Sequence, residues 1–225
     1  MRVLAISASF APGFRGGSFK ALTCMVERLD DRCEFRVLAR DRDPGQRERL
    51  AVEVDGWTDY GRAQVYYSTR PHHPALVARV VADTQPDVLF LNSLYTIGSI
   101  AVFALRRAGR IRIPVVVAPE GELAPGGLAQ KPSKKRAYLT ALRLGRVMAG
   151  VTWMARDAGE QADIAREFPG APPARIVPCL GPGGVSAPAL PLAKAPGSLR
   201  LLFLSRITPK KNLAFLLEVL ADHAG

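Results

Sequence analysis

Two basic residues near the C-terminus, Arg206 and Lys211, lie in a sequence pattern that could hold a phosphate group. They follow the apolar run 201–204, which is expected to form a buried parallel strand, and Asn212 can then cap a helix. A strand, a basic loop and a helix N-terminus present free backbone N–H groups, the positive end of the helix dipole and a planar guanidinium group to an anion. A solvated loop with ordinary surface cations is the alternative, and the pattern alone leaves both open.

Two carboxylates, Glu120 and Glu122, flank Gly121 directly after an apolar run that ends at Ala118. Carboxylates at the tip of a strand can position sugar hydroxyl groups or act as a general acid and base. They would equally suit a loop in which each acid pairs with a nearby arginine or lysine. The spacing is compatible with both interpretations.

Two further groups resemble metal ligands, but neither is interpreted as a metal site. The triplet Asp41-Arg42-Asp43 is a generic match without a third ligand nearby, so a solvated loop is expected. His72 and His73 are adjacent, so their side chains diverge, and no carboxylate flanks them; both are interpreted as loop residues. The three cysteines are odd in number and lack the spacing of a zinc site, so reduced thiols are expected.

The composition describes a globular protein with enough apolar material for a core, since 48% of the 225 residues are hydrophobic and 23% are charged. This length exceeds one typical domain and falls short of two. The net charge of +11 indicates anionic partners, such as a phosphorylated ligand, an anionic lipid or nucleic acid. No apolar run reaches the length of a membrane span and no secretory signal begins the chain, so a cytoplasmic protein is expected.

Short apolar runs alternate with segments of helical periodicity along residues 1–179. The expected strands are residues 3–7, 34–39, 63–67, 88–91, 113–118, 151–154 and 175–178. Residues 44–62 show no clear period and are expected to be irregular. The alternation predicts an α/β fold with an open, doubly wound, mostly parallel sheet, in which ligands bind beyond the carboxyl ends of the strands.

One of the expected helices, residues 134–149, is strongly basic. Ser133 can cap it, and the stretch 123–156 around it contains no acidic residue. A solvated basic face and docking to an anionic membrane surface both fit this pattern. Ser18 and Asp157 are expected to cap two other helices, and Glu160 completes a pair that resembles a capping box.

The segment LFLSRITPKKNLAFLLEVL, which contains Arg206 and Lys211, resembles the donor-diphosphate loop of retaining family-4 glycosyltransferases of the GT-B fold. The segments APEGELAPGG and KKRAYL resemble a region common in bacterial members that build polysaccharides or lipid-linked glycans. The loop with Pro12, Gly16 and Gly17 is similar to the "P…GG" loop of that fold, and its spacing differs from the G-x-G-x-x-G pattern of NAD or FAD sites.

The resemblance covers nearly the whole chain but implies only the first part of such an enzyme. Residues 1–179 would form a Rossmann-like N-terminal domain on the acceptor side, and residues 180–197 an interdomain linker. Residues 198–225 would form the first strand and helix of an incomplete, Rossmann-like C-terminal domain that binds the donor. A truncated or fragmentary glycosyltransferase is therefore expected, without activity as this chain alone.

The resemblance implies transfer of a sugar from a nucleoside diphosphate sugar to a glycan or lipid-linked acceptor, with retention and without cofactor or metal. The implied donor-diphosphate contacts are Gly16, Gly17, Arg206 and Lys211. The implied acceptor or sugar contacts are Tyr95, Glu120 and Gly121, and Glu122 is the candidate catalytic residue. Many relatives carry a histidine at this strand tip, and this chain has none.

Two other function classes are compatible with the sequence. The chain could be a non-catalytic, glycosyltransferase-like partner subunit, or a basic protein that binds anions or nucleic acid. Nucleic acid is not expected as a partner, because the chain has no helix-turn-helix, RNP-type or zinc pattern. The expected location is the cytoplasm, with peripheral contact to the inner face of an anionic membrane.

Overall fold

The computed structural model describes residues 1–13, 17–29, 32–180, 201–205, 207 and 211–223, and the chain divides into two compact units. The first unit is Met1–Gly183 and the second is Gly184–Gly225. The predicted linker, 180–197, lies outside the described residues except for its first position. Within the described residues, no helix combines the length and the apolar character that crossing a membrane requires.

The first unit is built on an eight-stranded sheet. Its strands are β1 Arg2–Ile6, β2 Glu34–Arg40, β3 Trp57–Tyr60, β4 Ala63–Ser68, β5 Val88–Leu91, β6 Val115–Val117, β7 Val151–Ala155 and β8 Arg175–Ile176. The spatial order is β3-β4-β2-β1-β5-β6-β7-β8, and every neighbouring pair is parallel except β3 with β4. Strand order reverses between β1 and β5, which is where such sheets open a crevice for ligands.

Seven helices accompany the described strands. They are α1 Gly17–Arg28, α2 Pro74–Thr84, α3 Ile97–Arg107, α4 Pro125–Leu128, α5 Pro132–Leu144, α6 Ala158–Glu167 and α7 Leu213–Asp222. The Thr96 hydroxyl caps α3 by accepting from Ser99 N at 3.1 Å. Asp157 caps α6 by accepting from Glu160 N at 2.8 Å, which confirms the predicted cap.

Apolar side chains cover both faces of the sheet, as the near-continuous hydrophobic runs predicted. On one face Leu4 and Ile6 pack in a cluster with residues of α2, α3, α5 and α6. On the other face Val3 and Ala5 pack with Leu22 and other residues of α1. Helices on both faces of a mostly parallel sheet are the doubly wound, Rossmann-like α/β arrangement, so the predicted fold class is confirmed.

The segment 44–62 is not wholly irregular, contrary to the prediction, because it contains β3. This strand pairs antiparallel with β4 through a tight turn at Gly61, whose φ of +58° suits glycine. The Trp57 ring packs edge-on against Tyr66 at 5.6 Å, and the Arg36 guanidinium lies 5.5 Å from the Trp57 ring centroid. A four-residue strand is too short for its alternation to stand out in the sequence.

The prediction of a solvated loop at Asp41 is wrong. The Asp41 side chain is fully buried and is surrounded by three arginines. Arg42 Nε lies 2.9 Å, Arg49 Nε 3.2 Å and Arg40 Nη2 3.7 Å from its carboxylate oxygens. The hydrogen bond from Arg42 and the surrounding positive charge hold the pKa of Asp41 below its usual value, against the opposing effect of burial.

Two predicted helix caps are displaced. Helix α5 begins at Pro132, so Ser133 lies inside it, and Lys131 takes the cap position with a φ of +56°. The helix ends at Leu144 rather than at residue 149, and a turn continues to Gly150. Helix α1 begins at Gly17, one residue before Ser18.

In the second unit, residues 201–204 form no strand, contrary to the prediction of a buried one. Leu202 is 86% exposed, and Leu201 and Leu204 are also exposed. A strand needs a neighbour for its backbone hydrogen bonds, and the described residues of this unit provide none. Asn212 precedes α7 with a φ of +50°, and its side chain makes no capping hydrogen bond.

Candidate functional site

The loops that follow β5, β6 and β7 meet at one edge of the sheet. These three strands are parallel neighbours, so their carboxyl ends lie side by side. The loop after β5 carries Ser93 and Tyr95, the loop after β6 carries Glu120 and Glu122, and Arg156 follows β7. This is the edge at which open α/β sheets bind ligands.

Glu122 joins the β6 loop to the β5 loop. Its Oε1 accepts from the Ser93 hydroxyl at 2.6 Å, and its Oε2 accepts from Leu94 N at 2.7 Å. Ser93 Oγ in turn accepts from Tyr95 N at 3.1 Å. Burial raises the pKa of Glu122, while the hydrogen bonds from Ser93 and Leu94 act in the opposite direction. Both carboxylate oxygens are thus engaged within the protein, which suits a residue that positions the two loops.

Glu160, at the start of α6, is a residue of this site that the sequence analysis considered only as part of a helix cap. Its side chain is buried, and its Oε1 accepts from the backbone N–H of Gly121. Its Oε2 accepts from Arg156 N at 2.8 Å and from Arg156 Nε at 3.2 Å. Glu160 therefore ties the β6 loop to the segment between β7 and α6.

Glu120 has the most remaining capacity to accept hydrogen bonds. Its side chain is 7% exposed and pairs with Arg156 at 3.7 Å, and it accepts no hydrogen bond from the described residues. Burial raises the pKa of Glu120, and the charge of Arg156 lowers it in part. Glu120 also has a φ of +55°, followed by Gly121 at +75°. A non-glycine residue in this region is uncommon and points to a constrained loop.

Tyr95 lies in a small aromatic group beside these carboxylates. Its ring centroid is 5.4 Å from that of Tyr138, and Lys135 Nζ lies 4.7 Å from the Tyr95 ring centroid. Lys135 also donates to Gly127 O at 2.7 Å, and the Tyr138 hydroxyl donates to Leu94 O at 3.0 Å. Burial raises the pKa of Tyr95 to about 12, and its hydroxyl has no hydrogen-bond partner among the described residues. Lys135 therefore belongs to this site rather than to a solvated helix face.

The structure brings together the four sugar-site residues predicted on this edge, Tyr95, Glu120, Gly121 and Glu122. Of the predicted donor contacts, Gly17 begins α1 at the same edge, after β1. Lys211 is exposed in the second unit, and Gly16 and Arg206 lie outside the described residues. The roles of all eight residues stay predictions.

Ser93, Lys135, Arg156 and Glu160 complete the site, and sequence reasoning assigned none of them to it. Each is linked to the loops by contacts between residues distant in the sequence. The available signal was that Ser93, Arg156 and Glu160 lie within five residues of an expected strand end or in the first turn of the next helix. No group of three or more His, Cys, Asp or Glu side chains that could hold a metal ion occurs in the part of the chain that the structure describes.

Residues 16–179, well over half of the chain, match the family described as "Glycosyl transferase 4-like domain". Among curated protein sequences, none matches this chain.

Two solved structures resemble the chain weakly. A dTDP-glucose 4,6-dehydratase from Bacillus anthracis, in complex with NAD, has 10% identity and a TM-score of 0.42, and the match covers 69% of this chain and 54% of that structure. The Bordetella bronchiseptica enzyme WbmH, in complex with NAD⁺, has 14% identity and a TM-score of 0.38, with 68% and 54% covered. The chain thus spans about half the length of these structures, and at these TM-scores neither likeness bears on its function. The family match decides the assignment, and the chain belongs to the glycosyl transferase 4-like domain family.

Proposed function

We propose that this protein transfers a sugar from a nucleoside diphosphate sugar to a glycan or lipid-linked acceptor, with retention at the anomeric carbon. The observation that carries the proposal is the family match over residues 16–179, which supports glycosyl transfer in general. The carboxylate site at the carboxyl edge of the sheet supports it further, because this edge is where the fold binds ligands.

The donor diphosphate would be bound without a metal. Helix α1 begins at Gly17 beyond the carboxyl end of β1, so its first backbone N–H groups are suited to a phosphate at that edge. Gly16 and Gly17 carry no Cβ, which permits a close approach of the diphosphate to the backbone. Arg206 and Lys211 would supply the positive charge that stabilises the departing diphosphate.

The sugar or acceptor would lie against the loops after β5 and β6. Glu120 is the carboxylate best suited to accept hydrogen bonds from sugar hydroxyl groups, because its only described partner is Arg156 at 3.7 Å. Tyr95 offers an aromatic surface, and Gly121 carries no side chain. Glu122 remains the candidate for direct contact with the reacting sugar, and its two internal hydrogen bonds would also make it a positioning residue.

Helix α5 provides a surface for peripheral contact with an anionic membrane, which would suit a lipid-linked acceptor at the inner face of a cell membrane. Lys134, Arg136 and Arg143 are exposed on this helix, and Leu144 at its end is 81% exposed. Exposed basic side chains together with an exposed apolar one are typical of interfacial binding. Cosedimentation with phosphatidylglycerol vesicles should fall for Lys134→Gln/Arg136→Gln, and binding that does not depend on anionic lipid would contradict this part.

The experiment that tests the transferase proposal measures release of nucleoside diphosphate from UDP-glucose, UDP-galactose and GDP-mannose by the protein from its native source. Turnover that falls by orders of magnitude in Arg206→Ala, but not in the exposed control Arg47→Ala, would support the assignment. Equal turnover in both variants would contradict the donor site. Donor binding without turnover would favour the non-catalytic partner subunit instead.

A further inference from the structure

We infer that four arginines at the amino-terminal edge of the sheet form a binding site for a phosphate-bearing anion, separate from the candidate sugar site. A cavity of about 460 Å³ at this edge is lined by Arg106, Arg107, Arg112 and Arg146. We call it the arginine pocket. The proposed glycosyl transfer assigns no role to these residues.

The topology places the arginine pocket opposite the candidate sugar site. Residues 108–114 lead from α3 into β6, and residues 145–150 lead from α5 into β7. Since β6 and β7 are parallel neighbours, with Val115 paired to Val151, both connections lie at the amino-terminal edge. The loops with Glu120 and Glu122 leave from the carboxyl edge. A ligand in the arginine pocket therefore cannot share contacts with a sugar at that site.

Arg106 joins the two connections that border the pocket. Its Nη2 donates to Ala149 O at 2.9 Å, and its Nη1 donates to Ile113 O at 3.4 Å. Its Nε is buried and has no hydrogen-bond partner among the described residues. Buried N–H groups are nearly always paired, so an unpaired donor beside the pocket is unusual. Burial also lowers the pKa of Arg106, which is the direction expected when a cation is desolvated without a counter-ion.

The other three arginines are exposed and make no ion pair with any described residue. The sequence explains this, because residues 88–119 and 123–156, which contain both connections, include no aspartate or glutamate. Four arginine residues thus line one cavity without a carboxylate among its lining residues. Their mutual repulsion would be relieved by a bound anion of high charge.

The chemistry of the pocket favours phosphate over a carboxylate or chloride. Several guanidinium groups can each offer two parallel N–H donors, which matches the oxygens of a phosphate group. The cavity volume lies within the range of small-molecule sites, and Ile111 and Val147 give it an apolar part. The phosphate could belong to a soluble phosphorylated molecule or to a lipid headgroup, and both present the same group to the arginines.

Calorimetric titration of the full chain with inorganic pyrophosphate tests the proposal. Arg107→Gln/Arg112→Gln should raise the Kd at least about tenfold, since it removes two charged hydrogen-bond donors from the phosphate. These two residues are exposed, so their replacement leaves the internal bonds of Arg106 intact. The control Arg32→Gln/Arg47→Gln removes the same charge at exposed positions before and after β2, and its Kd should stay within about twofold.

A further variant separates this site from the proposed donor site. Arg206→Ala/Lys211→Ala should keep pyrophosphate binding that depends on Arg107 and Arg112. If pyrophosphate does not bind, but phosphatidylglycerol vesicles bind and the Arg107→Gln/Arg112→Gln variant loses them while Arg32→Gln/Arg47→Gln keeps them, the phosphate source is a lipid headgroup and the site stands. Failure of both probes, or equal weakening in the pocket and control variants, would overturn the proposal. The glycosyl transfer proposal would be unaffected, because it rests on the other edge of the sheet.

Discussion

Replacing Glu160 by alanine should destabilise the protein by about 4 kcal/mol, because this buried carboxylate accepts three hydrogen bonds from two loops. The substitution leaves the backbone N–H groups of Gly121 and Arg156 without their acceptors. An unsatisfied buried donor costs about 1–3 kcal/mol, and two of them account for most of the expected loss. The Arg156 side chain is 35% exposed and keeps Glu120 as a partner, so its charge adds little.

Glu160→Gln should cause an intermediate loss of stability. One amide oxygen can still accept from a loop N–H, while the amide NH₂ faces the other donor, so about 2 kcal/mol should be lost. Asp163→Asn on the same helix is the matched control. Asp163 pairs with the half-exposed Arg166 at 2.6 Å, and the loss of such a pair should cost less than about 1 kcal/mol.

Urea unfolding, followed by circular dichroism and by the fluorescence of the buried Trp153, measures these differences. We expect the order Glu160→Ala, Glu160→Gln, Asp163→Asn from largest to smallest loss, with similar slopes of free energy against urea concentration. A loss below about 1 kcal/mol for Glu160→Ala, or equal to that of Asp163→Asn, would refute the conclusion that Glu160 joins the two loops.

Three other substitutions test separate features. Burial lowers the pKa of His72 from 6.5 to about 4, so the free energy of unfolding of the wild-type protein should fall by about 3 kcal/mol between pH 6.5 and 4. Urea unfolding of His72→Gln should lack this loss. The pKa of Asp41 is lowered, so the stability that its ionised carboxylate gives the protein should persist above pH 4 and fall below it. Asp41→Asn should have a lower free energy of unfolding at pH 7, and that free energy should depend less on pH in acid. If the variant and the wild-type protein depend equally on acid pH, the result would argue against the arginine cluster. Gly98→Ala should lower the Tm and cost about 1–3 kcal/mol, because its Cβ would lie 2.5 Å from the Ile6 side chain, whereas Gly126→Ala meets open space and should be neutral.

The strands of the sheet were predictable because burial on both faces produces short, nearly continuous apolar runs. The runs around Leu4, Val37, Leu89 and Val116 all became strands of the sheet. The carboxyl-edge location of Glu120 followed from the same pattern, since each loop comes directly after a strand. In these cases, local sequence and tertiary structure agree.

The predictions that were wrong or incomplete concern contacts that no local sequence pattern reveals. Asp41 is buried beside Arg40, Arg42 and Arg49, and the sequence alone does not show that these three arginines converge on it. Glu160 contacts Gly121 across 39 positions, so its role at the site is invisible in a local window. The run 201–204 has the pattern of a strand but no pairing partner among the described residues, and an apolar pattern alone does not supply one.

The short hairpin of β3 and β4 has a consequence for the behaviour of the protein in concentrated solution. Without β3, the apolar strand β4 would present an unpaired backbone edge to other molecules, which is a template for aggregation. With β3 in place, the outermost strand has four residues and carries the charged Asp59, and the opposite edge strand, β8, has two. Among the described residues, neither border of the sheet offers a long apolar edge, which disfavours edge-to-edge association.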